Sequence, residues 1–287
     1  KQVEANMGNG TVLSVAFTAP SPYSSRLSTL LSNKGFKPLW IPTISTTPTP
    51  QTLLSLSAAL SPSSVATLSA IAFPSRTAIS AAASVVALMP PPLLPVGSIF
   101  TLSAIGRDAE LLDHDFIASL CPNSSRVQVV VPAEATPSGM VESLGEGRGR
   151  RVLCPVPRVV DLEEPPVVGD MLKKLRLAGW TAVEVEAYET KWLGEECLVA
   201  LGERERVDGL VFSSIAEVEG FLKGLKGIGW DWGMVRARWP DLVVAAHGPV
   251  TADGAEKLGV AVDVVGARYD SFQGVVDALA SRLVTKL

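Results

Sequence analysis

The chain has 287 residues, 47% of them hydrophobic and 19% charged, and carries a net charge of -4. That length and apolar fraction exclude an intrinsically disordered chain and supply one large or two ordinary cores. The charge balance argues against nucleic-acid binding by general electrostatics. Three cysteines (Cys121, Cys154 and Cys197) neither close a disulfide framework nor stand at metal-ligand spacing, so a reducing compartment is expected.

Charge is uneven along the chain. The first 100 residues hold six charged side chains: Lys1, Glu4, Arg26, Lys34, Lys37 and Arg76. The uncharged stretch 77–106 is not expected to span a membrane, because Pro90, Pro91, Pro92 and Pro95 interrupt it and Ser and Thr dilute the rest. Asn9-Gly10-Thr11 and Asn123-Ser124-Ser125 read as glycosylation acceptors only in a secreted chain, and nothing else suggests secretion. The chain begins at Lys1, so a removed targeting segment stays open.

The chain repeats itself. In order, the first half presents runs at 12–17, 30–36, 72–75, 104–106 and 138–144, and the second presents similar runs at 152–155, 175–180, 211–214, 246–248 and 273–279. The five offsets lie between 135 and 144 residues. Anchors in one order at nearly constant spacing imply two copies of one unit, and the period is too long for a solenoid. Runs at 127–131, 183–187, 209–212, 242–246 and 262–265 predict strands. Helices are predicted over 169–178 with a stop at Gly179, over 215–225, and over 252–258 with a stop at Gly259. The pattern is α/β with parallel sheets covered on both faces.

In such folds ligands bind beyond the carboxyl ends of strands, where helix N-termini offer unpaired N–H groups to anions. Four turns fit: Phe73-Pro74-Ser75-Arg76-Thr77, Ile105-Gly106-Arg107-Asp108, Phe212-Ser213-Ser214, and His247-Gly248-Pro249-Val250-Thr251. Ser214 and Glu217 form a capping-box pattern. Each turn alone reads as a structural cap; together they suggest an anion-binding cleft. Asp108 departs from the set, since its carboxylate would claim the helix end that a ligand carboxylate needs. Gly145-Glu146-Gly147-Arg148-Gly149 lacks a strand-then-helix context and reads as a turn. With only His114 and His247, no zinc site is expected. His247 is either a general base or a polar group at a cleft edge. Trp230, Trp232 and Trp239 read as packing for a surface helix or loop.

The ordered motifs resemble the uroporphyrinogen-III synthase family over essentially the whole chain. The Phe-Thr-Ser-Pro type turn of each family copy corresponds to Phe73-Pro74-Ser75 and Phe212-Ser213-Ser214. The Tyr-x-Thr element corresponds to Tyr188-Glu189-Thr190, and the Ile-Gly-x-x-Thr-Ala turn to His247-Gly248-Pro249-Val250-Thr251-Ala252. The resemblance implies two flavodoxin-like parallel-sheet lobes joined by a two-stranded linker, with the active-site cleft between them. One lobe would be 1–39 with 190–287, the other 40–189. It implies a cofactor-free, metal-free cyclisation of hydroxymethylbilane to uroporphyrinogen III with inversion of ring D. Tyr188 would be the proton donor, or else a tyrosine packing the hinge. Thr18, Ser75, Arg76, Gly106, Ser213, Ser214, Gly248 and Thr251 would grip the substrate's carboxylates. The partner implied is this small molecule alone, with neither nucleic acid nor membrane, bound by a monomer in the plastid stroma of a plant or the cytosol elsewhere.

The chain departs from the family at Ala19, where an arginine is expected; at Pro74, which lacks an N–H; at Ala109, which lacks a hydroxyl; and at His247, where an apolar residue is expected. Most of these lie in the first copy. They support an alternative: a catalytically weakened synthase-like homologue serving as a scaffold or subunit of an assembly. A two-lobed sensor or solute-binding protein is a third reading, against which count the absence of a signal peptide and of a DNA-binding head.

Overall fold

The computed structural model describes residues 10–163 and 165–285; Asn9 of the first glycosylation motif lies outside them. The strands are β1 (Ser14–Phe17), β2 (Lys37–Trp40), β3 (Ile44–Thr47), β4 (Ala70–Phe73), β5 (Phe100–Ala104), β6 (Val127–Val130), β7 (Arg151–Val160), β8 (Thr181–Trp192), β9 (Gly209–Phe212), β10 (Val243–Ala246) and β11 (Val264–Val265). The helices are α1 (Ser21–Asn33), α2 (Pro50–Ala59), α3 (Pro62–Val65), α4 (Arg76–Val86), α5 (His114–Leu120), α6 (Pro137–Leu144), α7 (Pro166–Leu177), α8 (Val199–Gly202), α9 (Ile215–Gly227), α10 (Trp232–Arg238), α11 (Pro249–Lys257) and α12 (Gln273–Val284).

They build two α/β lobes. One sheet has the order β11-β10-β9-β1-β2, the other β3-β8-β7-β4-β5-β6. All pairings are parallel except β3 with β8. Under the sequence repeat, β1, β2, β9, β10 and β11 correspond to β7, β8, β4, β5 and β6. Both sheets then show the same order, with β3 added at one edge. Each copy thus gives two strands to one sheet and three to the other, and the chain crosses between sheets after β2 and after β8.

Strand alternation explains the layering. In β9 and β10, Val211, Val243 and Ala245 face a core with Leu27, Leu31, Val275 and Leu279, whereas Leu210, Phe212 and Val244 face a core with Phe221, Leu225 and Val235. In β4, Ile71 and Phe73 face α2, α4 and α5, while Ala70 and Ala72 face Met140, Met171 and Leu175. Burying both faces is why these strands read as unbroken apolar runs. The glycines after α1, α7 and α11 stop their helices in left-handed conformations, Gly35 at φ 85°, Gly179 at 86° and Gly259 at 91°.

Several elements differ from expectation. The strand predicted over 183–187 extends over Thr181–Trp192, because β3 pairs with its far half through Thr46 and Thr190. The strand predicted over 262–265 shrinks to Val264–Val265, since the Asp263 carboxylate instead accepts the Val244 N–H at 2.8 Å. Helix α7 starts earlier than Gly169, with Pro166 at its first position. The stretch 77–106 becomes α4, a loop and β5, and no helix of the described residues is long and apolar enough to cross a membrane. Gly147 is a turn residue whose missing Cβ lets Trp180 approach. Trp230 and Trp239 pack against each other with the Arg238 guanidinium over both, and Trp232 packs against Phe221.

Candidate active site

The carboxyl ends of β4, β5, β9 and β10 deliver all four turns to one cleft of about 350 Å³ between the lobes. The long strands β7 and β8 overshoot their sheet and carry Pro157, Val159, Tyr188 and Thr190 into it.

After β4, Ser75 caps α4: its Oγ accepts the Ala78 N–H at 3.2 Å and its hydroxyl donates to Tyr188 Oη at 2.8 Å. Ser75 is the donor in that pair, so the Tyr188 proton is left for another group. Burial pushes the Tyr188 phenol up to about 12, against the opposing Ser75 bond. It is therefore a neutral donor at physiological pH. The Arg76 N–H donates across the cleft to Tyr23 Oη at 2.9 Å, and Tyr23 donates to Asp108 Oδ2 at 3.3 Å. Burial, then the Asp108 charge, hold the Tyr23 phenol well above its ordinary range.

After β9, Ser214 caps α9 and accepts the Glu217 N–H at 3.3 Å. The predicted capping box is only half made. The Glu217 carboxylate passes its usual target, the N-cap amide, and takes the Ser213 N–H at 3.0 Å, the Thr18 hydroxyl at 2.8 Å, the Ser214 hydroxyl at 2.8 Å and the Ser213 hydroxyl. Glu217 is 1% exposed. Burial raises its pKa, and the donors from Ser213, Ser214 and Thr18 oppose that rise. The chain's own carboxylate fills the amide site expected to take a substrate carboxylate.

After β5, the expected open α-helix start is instead a 3-10 turn, Gly106–Leu111, without a side-chain cap. Its Arg107 N–H is taken by the Asp270 carbonyl of the other lobe at 3.1 Å. Gly106 is required there: at φ 56° an added Cβ would lie 2.4 Å from that same carbonyl oxygen. After β10, Gly248 at φ -156° starts α11 with Pro249 first and no capping side chain. The following N–H groups of Val250 and Thr251 have no intrahelical acceptor. Thr251 donates its hydroxyl to Ser213 O at 3.3 Å. The His247 ring stands edge-on to Phe272, centroids 5.1 Å apart, and its buried Nδ1 has no partner among the described residues. Burial lowers its pKa, so it is a neutral imidazole, suited to accept a proton and unsuited to give one at neutral pH.

The structure brings Ser75, Tyr188, Ser213, Ser214 and Thr251 to the cleft wall. Thr18 is 0% exposed and lies beneath it, under Glu217. Arg76, Gly106 and Gly248 flank the wall through their neighbours Ser75, Arg107 and His247. Of the amides expected to grip carboxylates, those of Arg76, Arg107 and Ser213 are consumed by Tyr23, Asp270 and Glu217. The start of α11 is the exception. Sequence reading missed Tyr23, Arg26, Tyr269, Asp270 and Phe272, all at the cleft. The available signal was in α1, where Tyr23 is the sole aromatic and Arg26 the sole charged residue, three apart on one face. Among the described residues no group of three or more His, Cys, Asp or Glu could hold a metal ion.

The model of a protein family described as uroporphyrinogen-III synthase HemD matches residues 25–275. No curated protein matches the chain. Among solved structures, a mutant uroporphyrinogen III synthase from Thermus thermophilus is 18% identical, with 96% of this chain and 100% of that one covered and a TM-score of 0.55. The wild-type synthase of the same organism, in another crystal form, is 18% identical over 96% of this chain and 99% of that one, at a TM-score of 0.44. At this identity the first likeness speaks for the fold.

Proposed function

The chain belongs to the uroporphyrinogen-III synthase family, and from that membership and the cleft we propose that it cyclises hydroxymethylbilane to uroporphyrinogen III. The observation that carries this reading is the Tyr188 hydroxyl, buried at the cleft, kept neutral and with its proton uncommitted. In this reading Tyr188 protonates the leaving hydroxyl, which departs as water. The azafulvene cation left behind is attacked by ring D through its substituted carbon, giving the spiro intermediate. Reopening and reclosure invert the ring, and the proton released as the last pyrrole regains aromaticity returns to Tyr188. Apolar walls hold the folded chain of rings in one geometry, so most of the control is positional. Substrate carboxylates engage the open amides at the start of α11.

Further parts of the proposal are a monomer without cofactor, in the plastid stroma of a plant and the cytosol elsewhere. We also propose that the lobes divide near residues 40 and 190; sheet membership supports this, with β8 continuing to Trp192. One observation favours a second reading, a catalytically weakened homologue kept as a scaffold: Glu217 and Asp270 occupy two of the expected carboxylate-binding amides. Supplying hydroxymethylbilane and resolving the oxidised products by chromatography decides between them. The III isomer is expected from the enzyme; the spontaneous I isomer alone would overturn the synthase reading.

A further inference from the structure

The rim of the cleft holds an unusual concentration of cations. Arg26 lies on α1 of one lobe, one helical turn beyond Tyr23 and on the same face. Tyr23 in turn bonds the backbone of Arg76, the first residue of α4 in the opposite lobe. Arg26 lines the cleft, as does Tyr23. Arg107 stands beside them, already held by Glu110 through bonds of 3.0 and 3.3 Å. Asp108 is engaged by the Tyr23 hydroxyl. Three guanidiniums thus face two carboxylates, and neither the Arg26 nor the Arg76 guanidinium has an ion pair or hydrogen bond among the described residues. Burial and then the charges of Arg76 and Arg107 lower the Arg26 pKa, against the opposing charges of Asp108 and Glu110.

The Asp108 charge reaches both Arg26 and Arg76, so with Glu110 on Arg107 the cluster keeps one positive charge in excess, and an incoming carboxylate would balance it. We propose that Arg26 and Arg76 form a carboxylate clamp that spans the lobes and takes one acidic side chain of the tetrapyrrole substrate. The clamp rests on the functional reading above. It replaces, with guanidiniums, the anion-binding amides that Glu217 and Asp270 have occupied. Because its halves belong to different lobes, a seated carboxylate also holds the cleft shut.

The test is fluorescence titration of the full chain with uroporphyrin I, an octacarboxylate, and with its uncharged octamethyl ester. Arg26→Ala and Arg76→Ala should each weaken uroporphyrin binding by about tenfold, and the double variant should lose little more than either single one. Arg26→Lys should recover part of the loss. Ester binding should not change. In the ligand-free protein Arg26→Ala should leave the melting temperature unchanged or raise it, since a like-charge contact is removed. An unchanged uroporphyrin affinity in Arg26→Ala, fully additive losses, or an equal loss for the ester would overturn the clamp. Because the readout is binding, an Arg26-dependent affinity alongside production of the I isomer alone would keep the clamp and reject the synthase.

Discussion

The turns after β4 and β9 are copies of one another, and their cap residues share one backbone conformation. Ser75 caps α4 at φ -155° and ψ 160°; Ser214 caps α9 at φ -152° and ψ 161°. The difference lies three residues into each helix. Ala78 leaves the Ser75 hydroxyl free to turn outward to Tyr188, whereas Glu217 draws the Ser214 hydroxyl, and Ser213 with it, inward. The second pair of turns diverges in the backbone itself: Gly106 is left-handed and the Arg107 N–H after it is bonded across the cleft, while Gly248 is extended and starts an open helix. Duplication preserved where the turns sit, and single residues decided whether each one faces a ligand or the protein itself.

The largest expected effect sharpens the first contrast. Tyr188→Phe removes the donor that only the Ser75 side supports, and should lower kcat by about 100-fold with little change in KM. Steady-state formation of the III isomer measures it, and an unchanged kcat would remove Tyr188 from the chemistry. With the phenol held up at about 12, the wild-type rate should show no alkaline limb from Tyr188 until the pH approaches that value. The second pair of turns gives the next effect. Gly106→Ala forces a Cβ against the Asp270 carbonyl at a left-handed position and should cost about 2–4 kcal/mol. Gly248→Ala, extended and 3.1 Å from the Tyr269 Cβ, should cost only about 1 kcal/mol. Denaturant titration compares them, and equal losses would break the asymmetry claimed here.

The parallel core was legible because strands buried on both faces must be written as apolar runs, and the cap residues Ser75, Ser214 and Gly259 have few substitutes in their roles. Helices α2 and α3 were not legible. The 48–66 stretch is rich in Ser, Thr and Pro, and its helicity depends on Thr49 and Thr52 bonding each other's backbone N–H groups, with Pro50 at the first position. At the site, Glu217 read as a capping residue, and local spacing could not reveal that its carboxylate would also collect Thr18, 199 residues away. The Tyr23–Asp108 contact, spanning 85 residues, likewise exists only once the lobes have closed.

A smaller effect tests whether Glu217 alone separates the β4 and β9 turns. Its raised pKa means that the folded state binds the proton more tightly than the unfolded state. Stability therefore falls as pH rises from the ordinary glutamate range through the folded value. Glu217→Ala should abolish that decline, and should be less stable than wild type by about 2 kcal/mol at the acid end, where the protonated side chain still bonds its neighbours. The vacated site resembles the β4 turn with room for an outside carboxylate. Added acetate should raise the variant's melting temperature and leave the wild type's unchanged; no response to acetate would mean that the donors of Ser213 and Thr18 do not form an anion site.

The smallest effect concerns the bridge between the turns of opposite lobes. Tyr23→Phe removes a hydroxyl that accepts the Arg76 N–H and donates to Asp108, for a loss of about 1 kcal/mol. Burial already raises the Asp108 pKa despite Arg76, Arg26 and Tyr23, so charging it opposes folding as pH rises through the folded value. Without the Tyr23 donor that pKa moves higher still and the decline extends further. The gap between wild type and variant should accordingly be smaller in acid, where Asp108 is neutral, and widen as the carboxyl ionises. Melting temperatures across that range measure the gap. A gap of one size at every pH would assign the Tyr23 hydroxyl to the Arg76 amide alone and detach Asp108 from the bridge.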